Sequence, residues 1–420
     1  MQNNKIKADL LFENCAQLLT CKQDAPDLVG LINNGYVAVA GERIISVGTR
    51  QEVLDTVDTS GAEIINAKDK IAVPGFVDSH THLIFGGSRV KEYAARMLYD
   101  DAEALHRMGI KTGIMATVEM TRKSSQEELY QAAAGRINRM LKYGTTTVES
   151  KSGYGLSTNS ELKILELNKS LDESLPVDVV STFLGAHGWP DDMPKGKYID
   201  MLIQEMLPLV AQEKLAEFCD VWCDEGHYTA EESGLILEAA QRYGMKSKIH
   251  TDAYSYIGGS DLAAEMQMTS ADHLNYTPQS AIKKLARQGV TGVLLPAIDF
   301  AVKHPRPFEA RPMLEENLTV ALATNCCPGC YVESMPFVLA LACREHRMSA
   351  GEAIRAATYG GACALGLQED RGSIEAGNLA DIQLWEAAQY EDIIYHIGGN
   401  IVEQVFKRGK RVVDNRECRA

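Results

Sequence analysis

The sequence predicts an α/β protein, a (β/α)8 TIM barrel with a small β-sandwich domain built from both ends of the chain. Strand-like apolar runs alternate with amphipathic helical stretches through the central region. Both ends carry short apolar segments separated by turn residues. A length of 420 residues suits a barrel with an appended domain. We expect residues 1–73 and 371–420 to form the small domain and residues 74–370 the barrel.

The two ends of the chain share a β-sheet pattern. The N-terminal part contains "YVAVAGERIISVG", and the C-terminal part contains "GSIEAGNLADIQLWEA" and "EQVFKRGKRVVDN". Apolar and polar residues alternate in these segments, and Gly, Asn and Asp between them favour tight turns. No helix of useful length is evident before Pro74. The two ends therefore predict strands of one small domain.

The central region contains eight strand candidates. They are "IAVPGFVDSH", "GTTTVES", "VDVVSTFLGAH", "FCDVWCDEG", "MKSKIHTDA", "TSADHL", "VTGVLLPA" and "LTVALATNCC". Helical candidates such as "LKILELNKSLDES" and "ESGLILEAAQRY" follow many of them. Eight such units are typical of a closed parallel barrel.

Composition and charge narrow the class of partner. The net charge of −15 repels nucleic acid and anionic membrane surfaces, and no basic run with interleaved aromatic residues offsets it. No apolar run approaches the ~20 residues that cross a bilayer. The first residues lack the features of a secretory signal, which predicts a cytoplasmic protein whose ten cysteines are mostly thiols. We expect a small-molecule partner, and neither nucleic acid nor a membrane.

Histidines recur where the strand candidates end. His80 and His82 close the first strand, His187 the third, His250 the fifth and His273 the sixth, which uses five of the ten histidines in the chain. In a barrel of this kind the active site lies at the C-terminal ends of the strands. Each histidine alone has an ordinary alternative role in the core or on the surface. Their shared position favours a common site.

Three of these histidines predict a metal centre. His80 and His82 are alternate residues of a strand and therefore share a face. Together with His250 they offer three imidazoles to one divalent ion, which leaves a coordination position open for water. His273 and His187 would then transfer protons or polarise the substrate.

Several motifs together resemble the imidazolonepropionase family of the amidohydrolase superfamily. They are "VPGFVDSHTHLIFGGSR", "GTTTVESKSGYGL", "LGAHGWP" and "ADIQLWE", and the resemblance covers nearly the whole chain. "KSGYGL" and "FGGSR" are specific to that family. The resemblance implies a (β/α)8 barrel that hydrolyses the ring of 4-imidazolone-5-propanoate to N-formimidoyl-glutamate in histidine degradation, with one Zn²⁺ or iron ion. It also allows a homodimer.

The resemblance assigns roles to individual residues. The implied metal ligands are His80, His82 and His250. Arg89 and Tyr154 match residues that hold the substrate propionate and ring, and a guanidinium suits a carboxylate because it pairs with it in a two-pronged manner. His187 matches a substrate contact, and His273 matches a residue near the attacking water. A surface role is the alternative for Arg89.

The chain departs from the family pattern at the ends of the fifth and eighth strands. Ala253 stands where the family has a glutamate that contacts the substrate ring. Asn325 replaces the aspartate that binds the metal and accepts a proton, and we keep it among the predicted metal and catalytic residues. Cys327 replaces a substrate-binding asparagine and Cys330 a serine, and Gly329 between them is unchanged. We keep all three among the predicted substrate-binding residues. "KTGI" stands where the family has a glycine-rich segment.

The missing aspartate suggests a role for the cysteines. Three histidines and the amide of Asn325 provide no anion to offset a divalent ion. A thiolate of Cys326, Cys327 or Cys330 would provide one, since a nearby metal lowers the pKa of a thiol. We therefore include Cys327 among the predicted catalytic residues. The alternative is that these cysteines are small buried apolar residues in a turn.

Three functional hypotheses follow. The first is a metal-dependent hydrolase of the C–N bond in a five-membered cyclic amide or amidine that bears a propionate, with imidazolonepropionate as the leading substrate. The second is a family member that acts on a modified ring, such as an oxo- or thio-hydantoin propionate. The third is a catalytically inactive relative that binds a small heterocycle, which the changes at Asn325 and Ala253 favour.

Overall fold

The computed structural model describes residues 5–99 and 102–418. The N-terminal part is almost entirely β-sheet, with one short helix that begins at a capping box formed by Thr49 and Glu52. Its elements are β1 (Ile6–Lys7), β2 (Leu10–Leu19), β3 (Leu31–Ala40), β4 (Arg43–Gly48), α1 (Arg50–Thr56), β5 (Val57–Asp58), β6 (Glu63–Asn66) and β7 (Ile71–Pro74).

The central region forms the predicted parallel barrel. Its strands are β8 (Phe76–Asp78), β9 (Thr145–Lys151), β10 (Asp178–Ala186), β11 (Phe218–Cys223), β12 (Lys246–Thr251), β13 (Ser270–His273), β14 (Thr291–Leu294) and β15 (Val320–Leu322). Within the described residues these strands pair side by side in chain order, all in parallel. Seven of the eight strand candidates contain one of them, and "GTTTVES" covers β9 up to Ser150, one residue before its end, so this part of the prediction is confirmed.

Helices surround the barrel. They are α2 (Val90–Arg96), α3 (Ala102–Arg107), α4 (Gly113–Lys123), α5 (Gln126–Lys142), α6 (Thr158–Ser174), α7 (Lys195–Met201), α8 (Leu207–Gln212), α9 (Ala230–Arg242), α10 (Gly259–Glu265), α11 (Gln279–Gln288), α12 (Pro296–Val302), α13 (Ala310–Glu315), α14 (Met335–His346), α15 (Ala350–Arg355), α16 (Gly361–Ala364) and α17 (Asp392–Tyr395). Their apolar faces pack on the strands and bury one large core. In the part of the chain that the structure describes, no helix has both the length and the apolar character needed to cross a bilayer.

The last three strands complete the second sheet. They are β16 (Ile382–Trp385), β17 (Val402–Lys407) and β18 (Lys410–Asp414). The sheet runs in the order β18, β17, β16, β7, β2, β3, β4. The C-terminal strands thus meet the N-terminal strands at the pair β16 and β7. Phe12 and Phe406 pack edge to face at 4.8 Å in its core. The predicted fold, a barrel with an additional sheet from both chain ends, is confirmed.

An ion cluster joins the sheet to the barrel. Asp178, at the start of β10, lies 2.5 Å from Arg371, 2.8 Å from Lys407 and 2.9 Å from Arg408. Burial alone would raise the pKa of Asp178, but these cations outweigh it and lower the pKa to about 2. Lys407 also contacts Asp381 at 2.6 Å.

The barrel closes where its first and last strands end. Asp78 accepts hydrogen bonds from the Thr324 amide at 3.0 Å and the Thr324 hydroxyl at 2.7 Å. The Asn325 amide donates to the His80 carbonyl at 3.0 Å, and the His82 amide donates to the Cys326 carbonyl at 2.9 Å. These bonds place the segment after β15 directly beside the histidines after β8.

Candidate active site

Five histidines meet at the C-terminal end of the barrel. The His80 ring centroid lies 5.4 Å from that of His82, 4.5 Å from that of His250 and 5.5 Å from that of His273. The His187 ring stacks on the His82 ring at 5.0 Å and 12°. The strand-end histidines predicted from sequence are therefore brought together in one cluster.

The closest set of nitrogen atoms differs from the predicted ligand set. Nitrogens of His80, His250 and His273 all lie within 4.8 Å of one another. His82 is outside this set, although its Nδ1 is buried and has no hydrogen-bond partner. In this arrangement His273, which we predicted as an acid/base residue, also faces the predicted metal position.

Two buried aspartates orient two of the imidazoles. His80 Nδ1 lies 2.6 Å from Asp272 Oδ2, and His250 Nδ1 lies 2.9 Å from Asp220 Oδ2. Because an ionised carboxylate only accepts hydrogen bonds, both Nδ1 atoms carry the proton and both Nε2 atoms present lone pairs. These Nε2 atoms are buried and unpartnered. Carboxylate-backed imidazoles with free, buried lone pairs fit a divalent ion.

The histidines are neutral in this environment. Burial lowers the pKa of His273 to about 4 and that of His187 to about 3. Burial also lowers the pKa values of His80, His82 and His250 well below their ordinary range. Neutral imidazole is the form that binds a metal or accepts a proton.

Asn325 and His273 both have unusual backbone conformations. Asn325 is left-handed with φ 48°, which asparagine tolerates better than most residues, and its Oδ1 is buried without a partner. His273 has φ 84° and Leu274 has φ 62°. Positive φ values at non-glycine residues are costly and concentrate at functional sites. The Oδ1 atom of Asn325 therefore has lone pairs available to bind a metal or to accept a hydrogen bond.

The "SGYGL" segment forms a loop around one buried carboxylate. Glu161 accepts hydrogen bonds from the amides of Gly153 at 2.9 Å, Gly155 at 2.7 Å and Leu156 at 2.7 Å. Gly153 has φ 107°, and a Cβ there would lie 2.8 Å from the Cβ of His187. The glycine lets the loop approach His187, and Glu161 fixes the turn that places the Tyr154 ring 5.3 Å from the His187 ring.

Replacing Glu161 with alanine is expected to lower the free energy of unfolding by about 3–5 kcal/mol, because three buried amides lose their acceptor. Chemical denaturation of the metal-free protein measures this. Glu166→Ala, an exposed glutamate on the same helix, is the matched control and should stay within about 0.5 kcal/mol of the parent. Equal stabilities for the two variants would contradict the role of Glu161.

His187 lines a cavity of about 440 Å³ together with Trp222, His227 and the segment from Thr112 to Met115. His187 Nδ1 donates to the Gly153 carbonyl at 3.2 Å, so its Nε2 is a hydrogen-bond acceptor. Trp222 and His227 stack at 3.6 Å and 17°. Sequence reasoning did not identify this aromatic wall.

Arg89 is held by a carboxylate of its own helix. Its Nε and Nη2 donate to the Glu92 carboxylate at 2.6 and 2.7 Å. This bond uses the pair of N–H groups that we expected to bind the substrate carboxylate. Its Nη1 lies near Gly329, because a Cβ atom built on this glycine would be 3.6 Å from Nη1. The same Cβ atom would be 3.9 Å from Cys327 Sγ. Arg89 and Gly329 line two cavities of about 480 and 660 Å³.

The three cysteines after β15 are buried thiols. Cys327 and Cys330 exchange backbone hydrogen bonds at 3.0 and 3.1 Å across Pro328 and Gly329. Burial raises the pKa of Cys326, Cys327 and Cys330 above the ordinary range, although Arg89 acts against this at Cys327. Among the described residues, none of the groups able to hold a metal includes a cysteine. These thiols are therefore neutral where no metal lies beside them, and a thiolate role at the metal stays a prediction.

A network of buried charges lies behind the histidines. Lys151 Nζ is 2.7 Å from Asp220, 3.0 Å from Glu149 and 3.3 Å from Asp272, and Lys248 Nζ is 2.9 Å from Glu149. All five side chains are fully buried. Burial lowers the pKa of Lys151, but the carboxylates outweigh it and raise the pKa. Asp220 and Asp272 thus bring negative charge close to the histidines. The neutral amide of Asn325 does not.

Comparison with known proteins gives consistent results. The model of the amidohydrolase family matches residues 71–412. The imidazolonepropionase of Alkaliphilus metalliredigens is 39% identical over 97% of this chain and 98% of that protein. The imidazolonepropionase of Geobacillus thermodenitrificans is 42% identical over 91% of each chain. A zinc-bound adenosine deaminase from Xanthomonas campestris shares the fold, with a TM-score of 0.74 at 18% identity over 98% of this chain and 94% of that chain.

Proposed function

Because this chain belongs to the imidazolonepropionase family of amidohydrolases, we propose that it hydrolyses 4-imidazolone-5-propanoate to N-formimidoyl-glutamate, a step of histidine degradation. The observation that supports this most strongly is the pair of buried, unpartnered Nε2 atoms of His80 and His250, each backed by an aspartate. The proposed reaction breaks a C–N bond of a five-membered cyclic amidine.

The residues present fit one divalent ion, Zn²⁺ or iron. The proposed ligands are His80, His82 and His250, with His273 and Asn325 facing the same position. When bound, such an ion acts as a Lewis acid and makes water nucleophilic at neutral pH. Neutral imidazoles with fixed tautomers would hold it without a change in their own protonation state.

Three residues are proposed to recognise the substrate. The free Nη1 of Arg89 would donate to the propionate, while Glu92 keeps the guanidinium in place. Burial raises the pKa of Tyr154 well above its ordinary value, so its phenol remains a hydrogen-bond donor. His187 Nε2 would accept from a ring N–H, since its Nδ1 is committed to Gly153. Together they would orient the ring toward the histidine cluster.

Proton transfer is assigned to His273. Its neutral imidazole would take a proton from the attacking water and return it to the ring nitrogen as the C–N bond breaks. The water oxygen ends on the ring carbon and both water protons remain in the product. His273 suits this role because it lies among the proposed ligands, with its ring centroid 5.3 Å from that of His250.

A modified ring is the second candidate. Ala253 and Cys327 replace a glutamate and an asparagine of the family pattern, and both side chains are smaller and less polar. A ring with a bulkier or softer substituent, such as the sulfur of a thiohydantoin propionate, would suit this change.

Turnover of defined substrates tests both candidates. Purified protein loaded with Zn²⁺ or Fe²⁺ is incubated with 4-imidazolone-5-propanoate, hydantoin-5-propionate or its thio analogue, and products are identified by mass spectrometry. The proposal expects N-formimidoyl-glutamate from the first compound, abolished in His250→Ala protein. If only Asn325→Asp/Cys327→Asn protein makes this product, the native substrate is a different ring. Turnover of none of the three by the metal-loaded parent would favour an inactive relative.

A further inference from the structure

The Lys151 ammonium lies at the centre of a cluster that would otherwise suit a cation. Two groups of side chains place potential ligand atoms within 4.8 Å of one another: His80, Glu149 and Asp272, and Asp220, His250 and Asp272. Lys151 Nζ contacts all three carboxylates of these groups, at 2.7–3.3 Å. No other position among the described residues combines so many buried acidic groups with the metal-facing histidines.

Charge explains why this position needs a cation. Glu149, Asp220 and Asp272 are fully buried, and Lys248 reaches only Glu149, at 2.9 Å. Without Lys151, Asp220 and Asp272 would have no cation of this network in direct contact and only the more distant charge of Lys248, which is costly in a low-dielectric interior. Lys151 Nζ donates to Glu149 Oε1 at 3.0 Å, and it also lies 3.0 Å from Oε2, which has no hydrogen-bond partner.

We propose that Lys151 is a resident cation that takes the place of a second metal ion and thereby restricts this centre to one ion. The inference rests on the proposed metal site and explains its nuclearity. The carboxylates lie on the Nδ1 side of His80 and His250, behind the Nε2 atoms that face the proposed ion. Here the carboxylates that would hold the second ion already bind an ammonium group, and they also orient His80 and His250. A lysine does not exchange with solvent ions, so the charge behind the ligands is permanent.

Removing the ammonium is expected to admit a second ion. In Lys151→Ala protein the vacated space is bordered by three carboxylates. Metal content at saturating Zn²⁺, measured by elemental analysis after gel filtration, should rise from one ion per chain in the parent to two. Because unpaired buried carboxylates destabilise the fold, Lys151→Ala/Glu149→Gln is the second variant; it removes one charge of each sign and should also bind two.

Lys407→Ala is the matched control. Lys407 is likewise buried between two aspartates, Asp178 at 2.8 Å and Asp381 at 2.6 Å, but Arg371 and Arg408 remain beside Asp178 when it is removed. This variant should keep one ion per chain.

The outcomes separate the inference from the proposed function. A parent protein with one ion and a folded Lys151 variant that also holds only one would overturn the inference and leave the metal centre intact. A second ion in Lys407→Ala as well would overturn it too, because binding would then be unrelated to the site. A parent that binds no ion would contradict the metal centre and the inference together.

Discussion

His80→Ala/His250→Ala protein is expected to lose its metal and to hydrolyse substrate at least about a thousandfold more slowly than the parent. The physical reason is that the two Nε2 atoms with fixed lone pairs disappear, and a Lewis acid contributes several kcal/mol to such reactions. The metal content measured by elemental analysis should fall from one ion per chain to a small fraction of an ion. The single variant His250→Ala should show most of this loss.

His346→Ala is the control for the loss of a buried histidine. Its Nδ1 contacts the Phe308 carbonyl at 3.0 Å and its ring stacks on Phe308, which is an ordinary core environment. This variant should lose stability but keep its metal. Undiminished metal in His80→Ala/His250→Ala protein would show that the assigned ligands are wrong.

Arg89→Ala is expected to weaken binding of a propionate ligand by about 2–3 kcal/mol, or about 30- to 150-fold. The effect lies at the lower end of the range for a lost charge pair because Glu92 already occupies two of the guanidinium nitrogens. Calorimetric titration with imidazole-4-propionate and with its amide measures this. The parent should prefer the carboxylate, and Arg89→Ala protein should bind both compounds equally.

Arg96→Ala separates substrate contact from helix stability. Arg96 donates to the same Glu92 at 3.0 Å but is more exposed than Arg89. Its removal should leave the preference for the carboxylate intact. Equal affinity of the parent for the acid and the amide would argue against Arg89 as the propionate site.

The strand-end histidines could be predicted from the sequence because apolar runs mark the strands, and the parallel strands of a barrel end on the same side. Apolar runs marked all eight strands, and His80, His187, His250 and His273 follow or end four of them. The glycines of "KSGYGL" were recognised as a motif, and the structure adds the reason: Gly153 leaves room for His187. Which nitrogens lie closest together depends on side-chain rotation, which a sequence pattern does not contain.

The supporting charges were missed because they look like ordinary strand residues. Glu149 and Lys151 alternate on β9 and therefore face the barrel interior together, a signal that was present in the sequence. Asp220 and Asp272 lie within largely buried strands, where a charged residue needs a partner. The i, i+3 spacing of Arg89 and Glu92 was also present in the sequence, but we did not predict their pairing from it.

The thiolate hypothesis arose because sequence alone revealed no anion near the predicted metal. The structure adds the carboxylates behind His80 and His250 as another source of negative charge, and the thiolate role of the cysteines stays a prediction. These carboxylates come from two other strands, β11 and β13, and cannot be deduced from the local pattern around Cys326.

A metal titration of the metal-free protein shows whether one bound ion is required for hydrolysis. Zn²⁺ or Fe²⁺ is added in steps, and bound metal and the rate of 4-imidazolone-5-propanoate hydrolysis are measured on the same samples. We expect both to rise together and to level off at one ion per chain, with no hydrolysis before metal is added. Full hydrolysis by the metal-free protein, or saturation of the metal site without any gain in rate, would contradict the account.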